Sequence, residues 1–275
     1  MSYENKDVLD FYKILPFNVY GDISTAVNKI KNTDPLIIYP ELKKIFSKFN
    51  KIKVIDFGCG GGWLVNSLSY HHGDNIEIVG VDFNSIAIEY ANKIKSKLNL
   101  SSDFFVSDLF TYKNEKKFDL IVSLGALHHT NNCKEAIKYI CKFGEKKSYL
   151  FLGLYHKYGR KPFLDHFEKI KDKSEEIKFN EYKKLHKQKD KKKLYSWFRD
   201  QVLHPYETQH TFEELLPIFN SAGYSIISTS INNFKKINDT KEIISNEKKL
   251  DSYAKEKLRI KEYFPGFFVT IGEKI

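Results

Sequence analysis

The chain is poor in arginine. Only Arg160, Arg199 and Arg259 stand among 45 basic residues, yet the formal net charge is +10. Recognition of phosphates and base edges favours the planar guanidinium fork over the ammonium group. A positive charge carried almost wholly by lysine, in a chain also rich in isoleucine and asparagine, reads as compositional. It counts against nucleic acid as the substrate. Cysteine is scarce too: Cys59, Cys133 and Cys141 form no Cys-x-x-Cys pair and no even framework, which points to a reducing compartment, the cytoplasm. No run of about 18 apolar residues occurs, so no spanning helix is expected. The opening Met-Ser-Tyr-Glu-Asn-Lys-Asp has no apolar stretch and does not read as a signal peptide. His128, His129 and Cys133 lack the spacing and the fourth ligand of a zinc site, so no metal is expected. Ser107 and Ser123 sit in no nucleophile elbow, which sets hydrolase triads aside. Nothing in the sequence fixes the oligomeric state.

What is present begins with 54–63, Val-Ile-Asp-Phe-Gly-Cys-Gly-Gly-Gly-Trp. A short apolar run that breaks into glycines reads as a buried parallel strand entering a tight turn, with a helix over about 63–70 after it. Gly58, Gly60 and Gly62 permit a left-handed backbone and a close ligand approach. The dinucleotide pattern Gly-x-Gly-x-x-Gly fails, because its last glycine would fall on Trp63 or Val65. The P-loop pattern fails as well, since no Gly-Lys-Ser/Thr follows. A second strand, 76–81, ends in Asp82, 20 residues after Gly62. An acid there is placed to accept hydrogen bonds from both hydroxyls of a ribose. A third strand, 104–108, ends in Asp108, and a fourth, 118–124, runs into Gly125-Ala126-Leu127-His128-His129.

The Asp-x-Gly-x-Gly-x-Gly turn, followed in order by these strand ends, resembles the class I S-adenosylmethionine (SAM) dependent methyltransferases, firmly over 51–154 and more loosely over 211–275. The resemblance implies an α/β fold with a Rossmann-like seven-stranded sheet, order 3-2-1-4-5-7-6 and the last strand antiparallel. It also implies N-terminal helices and, after strand five, a helical insertion. SAM is the implied cofactor. Asp56, Gly58, Cys59, Gly60 and Gly62 would hold its methionine end, Asp82 and Phe83 its ribose, Ser107, Asp108 and Leu109 its adenine, and Leu124 would lie beside the methyl group. His128 or His129 is the candidate proton acceptor, with a purely loop-shaping role as the alternative. Asp56 as a satisfied buried acid of the turn is likewise the alternative to a cofactor role.

The chain divides into 1–50, an N-terminal helical extension; 51–154, the SAM-binding core; 155–210, an inserted lid; and 211–275, the rest of the core. Helices are expected over 23–30, 42–49, 85–97, 131–143 and 211–222, the last interrupted or delayed by Pro217, with strands over 146–154, 224–231 and 266–271. The run 183–193 reads as a solvated lysine face. The insertion is far longer than the usual connection of about 2–6 residues. It carries two of the three arginines, Arg160 and Arg199, with His204 and Tyr206. This set is suited to a small anionic acceptor, or alternatively to pinning the lid to the core. An RNA or protein methyltransferase, or a SAM-binding protein without catalysis, are the competing readings. The absence of Asn-Pro-Pro-Tyr or Asp-Pro-Pro-Tyr after strand four counts against amino-group methylation of bases and glutamines.

Overall fold

In the computed structural model, residues 6–17, 19 and 22–275 are described, so most of the non-apolar opening stretch lies outside them. Four short helices come first: α1 (Lys6–Ile14), α2 (Ile23–Lys31), α3 (Pro35–Ile38) and α4 (Pro40–Phe46). The alternating half follows as β1 (Ile52–Phe57), α5 (Trp63–His72), β2 (Ile76–Asp82), α6 (Ser85–Leu98), β3 (Asp103–Val106), β4 (Phe118–Leu124), α7 (Cys133–Ile140) and β5 (Gly144–Tyr155). Then come α8 (Lys157–Glu168), α9 (Glu175–Lys184), α10 (Lys191–Phe198), α11 (Phe212–Ser221), β6 (Tyr224–Thr229), α12 (Thr240–Glu247), α13 (Lys249–Arg259) and β7 (Phe267–Lys274).

The strand order is β3-β2-β1-β4-β5-β7-β6, as expected. β7 runs antiparallel to both of its neighbours, β5 and β6. Successive residues of a strand face opposite sides of the sheet, so β1 feeds two cores. Ile55 and Phe57 join α7 and α11 through Ile137, Ile140, Leu215 and Phe219. Ile52 and Val54 join α4 and α5 through Leu42, Leu64 and Leu68. A strand buried on both faces has no use for polar residues, which is why Asp56, 5% exposed on β1, stands out.

The insertion leaves β5 and returns beside it. His156 and His210 form a parallel bridge, Lys157 N–H donates to the His210 carbonyl (2.9 Å), and His210 N–H donates to the Tyr155 carbonyl (2.9 Å). Its base is fastened inside as well. The buried His156 Nε2 meets Glu247 Oε2 at 2.9 Å, and the same oxygen accepts from Phe212 N–H at 2.6 Å. The insertion builds its own apolar cluster from Phe163, Phe167, Tyr182, Leu185, Leu194 and Phe198, onto which Leu258 of α13 and Tyr263 pack. It is thus a docked layer rather than a free flap.

Three local expectations change. The lysine run 183–193 is not one helical face: α9 stops at Lys184 and α10 starts at Lys191, where the Asp190 carboxylate caps it by accepting from the N–H groups of Lys192 and Lys193. Pro217 neither delays nor ends α11, which starts at Phe212 under a Thr211 cap. β5 begins at Gly144, before the expected start at 146.

Candidate active site

The glycine turn follows β1 directly. Gly58, Gly60 and Gly62 all take positive φ, 74°, 51° and 72°. At Gly58 a Cβ would fall 2.2 Å from the Ala126 Cβ, so the turn is packed against the loop after β4. At Gly60 a Cβ would meet nothing within 4 Å, because this residue borders a cavity and offers it bare backbone. Asp82, at the end of β2, holds the turn: its Oδ2 accepts from Gly60 N–H (2.8 Å) and its Oδ1 from Asn84 N–H (2.9 Å). Burial raises the Asp82 carboxyl above its ordinary range, and these two bonds oppose the rise. Each oxygen keeps a further lone pair for the hydroxyls of a ribose.

Asp56 lies on the same wall. Among the described residues no donor reaches its carboxylate, and burial, then Asp82, push it up to about 7. A buried acid beside a second acid, with no cation, is costly. The ammonium of an amino-acid ligand is the kind of group that would relieve it, so the residues present fit SAM. Phe83, Ser107, Asp108 and Leu109 continue the wall, with Cys59 and Leu124. Asp108 Oδ1 accepts from Phe110 N–H at 2.7 Å, and Ser107 N–H donates to the Asp82 carbonyl at 2.9 Å, which ties the ends of β2 and β3 together. The Cys59 thiol is raised by burial and then by Asp82 and Asp56, so it stays protonated.

The loop after β4 turns sharply over Leu127–His129 and buries both histidines. Among the described residues, neither ring nitrogen of His128 has a hydrogen-bond partner. Burial, then His129, hold its imidazole well below the ordinary range and thus neutral. His129 Nδ1 lies 2.9 Å from the Tyr206 carbonyl, an acceptor, so Nδ1 carries the proton and Nε2 is left as an unpartnered acceptor. Its ring stacks on His204 at 3.7 Å between centroids.

Opposite this loop the insertion supplies a group that sequence reasoning did not single out. Arg199–Leu203 is one π turn, and Asp200 and Gln201 from it line the cavity. Such turns often mark functional sites, because the extra residue re-aims side chains. The Tyr12 hydroxyl of α1 donates to Asp200 Oδ1 at 2.6 Å, and Asn84 Nδ2 donates to the Tyr12 carbonyl at 3.0 Å, so α1 is stitched across the cavity. Burial raises the Asp200 carboxyl, against the pull of His129 and Tyr12. Tyr39, Tyr155, Trp197, Tyr263 and Phe267 complete an aromatic end.

The four expected acceptor residues do not line this cavity. Arg160 is fully buried; its Nε and Nη2 donate to the two Glu207 oxygens at 3.0 and 2.8 Å, Nη2 also to the Gln201 carbonyl at 2.7 Å, and its guanidinium covers Tyr155 at 4.0 Å. With those donors engaged it holds the insertion together. Arg199 lies over the Phe11 ring at 4.5 Å and donates to the Phe11 carbonyl at 3.1 Å, which fastens α1. His204 backs His129, and burial, then His129, push its imidazole down to about 2. Tyr206 contributes its carbonyl to His129. Gly62 stands just behind the wall, where it starts α5. Among the described residues no cluster of three potential metal ligands occurs, and no helix is long and apolar enough to cross a membrane.

Sheet order, glycine turn and acid-ended second strand define a nucleotide-cofactor α/β transferase. A family model described as Methyltransferase domain matches residues 48–202, more than half the chain, and the chain belongs to that family. It is a SAM-dependent methyltransferase, and SAM is its cofactor. Similar proteins include a ubiquinone biosynthesis O-methyltransferase of Pelagibacter ubique, 27% identical over 165 residues, 57% of this chain and 67% of that one. A ribosomal RNA small subunit methyltransferase C of Haemophilus influenzae is 38% identical over 81 residues, 29% of this chain and 24% of that one. Among solved structures, magnesium protoporphyrin IX methyltransferase from Synechocystis with bound SAH aligns over 99% of this chain and 96% of its own, at TM-score 0.54 and 16% identity. PKMT2 from Rickettsia typhi with AdoHcy aligns at TM-score 0.61 and 17% identity, over 85% of this chain. The chain spans about half the length of PKMT2.

Proposed function

We propose that this methyltransferase acts on a small-molecule acceptor enclosed with SAM in one cavity. The observation that carries this reading is the cavity itself. It measures about 660 Å³ and extends from the glycine turn to the aromatic end built by β5, α1 and the insertion. Drug-sized ligands occupy cavities of roughly 300–1,000 Å³. The division into an N-terminal extension (1–50), a SAM-binding core (51–154), an insertion (155–210) and a closing part of the core (211–275) follows from the same reading, with the first and third parts roofing the site.

SAM, when bound, supplies an activated methyl group. The chain's residues orient the two partners, exclude water and take up the acceptor's proton. His129 Nε2, with its proton fixed on the other nitrogen, serves as the proton acceptor at the cavity wall, and His128, which burial holds neutral, shapes the loop beside it. Asp200, held by Tyr12, stands in the same wall and aligns a donor of the acceptor.

RNA as the acceptor is the second reading. It is favoured by the match to the ribosomal RNA methyltransferase, which covers only 24% of that protein. Incubation with methyl-labelled SAM, a small-molecule filtrate of cell extract, an RNA fraction and a protein fraction separates the readings. Label in the filtrate is expected, reduced at least ~10-fold by His129→Ala. Label confined to RNA or protein would replace the proposal.

A further inference from the structure

Two lysines from distant parts of the chain line the same cavity. Lys29 lies in the last turn of α2 and Lys193 in the first turn of α10, and both line the wall. Among the described residues neither ammonium has a carboxylate within ion-pair distance. Each instead rests against an indole: Lys29 at 5.4 Å from the Trp63 ring centre and Lys193 at 4.9 Å from that of Trp197. Burial first, and then the charge of Lys193, hold the Lys29 ammonium below its ordinary range. Among the described residues, the fold therefore holds two lysines on one cavity wall with no carboxylate within ion-pair distance of either.

Lys29 also sits close to the glycine turn, because Trp63 directly follows Gly62. The nearby wall contains the buried Asp56, which no donor reaches among the described residues. A lone acid and a pair of lone cations on one wall match a ligand that carries both an ammonium and a carboxylate. Resting on the reading of one cavity for cofactor and acceptor, we propose that Lys29 and Lys193 form a carboxylate-binding station. It closes the N-terminal helices against the insertion when a carboxylate sits between them. The carboxylate belongs to the methionine end of the cofactor or to the acceptor, and the chemistry of capture is the same.

Calorimetry on the full chain distinguishes the sources. The variants are Lys29→Gln, Lys193→Gln and the double substitution, and the ligands are SAM, decarboxylated SAM, and 4-hydroxybenzoate added to the SAH complex. If the cofactor supplies the carboxylate, the double variant loses at least ~10-fold in SAM affinity and keeps its affinity for decarboxylated SAM, which also reports an intact fold. If the acceptor supplies it, SAM affinity is kept and hydroxybenzoate binding is lost. Either loss shrinks as salt rises. The proposal is overturned if the double variant binds SAM and hydroxybenzoate as wild type does. It is also overturned if the wild-type protein prefers SAM to its decarboxylated form by less than 3-fold and takes no hydroxybenzoate. Binding of SAM with no effect of either lysine sinks the station alone and leaves the methyltransferase reading standing.

Discussion

The glycine-turn half and the insertion both place charged residues around one cavity, but they use them differently. In the first, Asp82 accepts from two backbone N–H groups and retains lone pairs toward the cavity, while among the described residues no donor reaches Asp56. In the second, Arg160 and Arg199 are consumed by Glu207, by backbone carbonyls and by aromatic rings. The lesson is that a charge near a site is evidence of a ligand only when its own fold leaves it unsatisfied. An arginine is the more readily absorbed, because its five donors and flat face suit a buried internal knot.

The largest expected effect tests that difference. Arg160→Ala strands Glu207 and should cost about 3–5 kcal/mol of stability, since breaking a buried pair leaves an uncompensated charge. Urea unfolding measures it. A variant as stable as wild type but weak only in acceptor binding would return Arg160 to the ligand side of the comparison. Next, Asp82→Ala should lose about 1.5–3 kcal/mol of SAM affinity through missing charge-assisted hydrogen bonds and a loosened turn. Unchanged affinity by calorimetry would break the assignment.

Asp56 gives a smaller, pH-dependent effect. Its carboxyl is raised to about 7 in the folded chain, against an ordinary value near 3.8. For an acid raised by folding, ionisation disfavours the folded state. Its contribution to stability is therefore fully present below the ordinary value, declines as pH rises, and levels off above about 7. SAM, with its ammonium, prefers the ionised form, so SAM binding should release a proton between about pH 5 and 7. Asp56→Asn should raise the stability of the ligand-free protein above pH 7, abolish the proton release and weaken SAM about 10-fold. Calorimetry in two buffers of different ionisation enthalpy, with thermal unfolding at pH 5 and 8, reads all three. Equal proton release in the variant would show that another group carries the charge.

The smallest effect sharpens the comparison from outside the cavity. Lys116 and Glu77 form an ion pair at 2.6 Å with both side chains largely in water. A double-mutant cycle to alanine should give a coupling far smaller than the Arg160 effect, and smaller still at high salt. A coupling as large as the Arg160 effect would mean that burial is not what separates the two kinds of charge.

The expected cofactor wall was legible because it is local. Asp56, the glycines, Asp82, Phe83, Asp108 and Leu109 all lie at strand ends or in the turns directly after them, and parallel strands bring their carboxyl ends to one edge of the sheet. The histidine loop was legible for the same reason. The acceptor end was not. Tyr12 and Asp200 are 188 positions apart, and nothing near either foretells the hydrogen bond. Lys29 and Lys193 belong to separate layers, and Lys193 looked like one of many solvated lysines. The π turn at Arg199 carried no compositional signal, while Tyr155 and Phe267, at the end of β5 and the start of β7, had only their place beside the sheet edge to mark them.

The sequence made the alternating strands, the glycine turn and the acid-ended second strand legible, and the resemblance those motifs carry implied the sheet order and SAM. Apolar runs that end in glycines or in an acid impose strand and turn locally, and parallel pairing of β1 with β2 brings Asp82 to the glycine turn. Only the tertiary structure decided which charged side chains of the insertion are spent on the fold and which stay open to a ligand. That choice depends on what is packed against each group, and burial partners come from elements far apart along the chain.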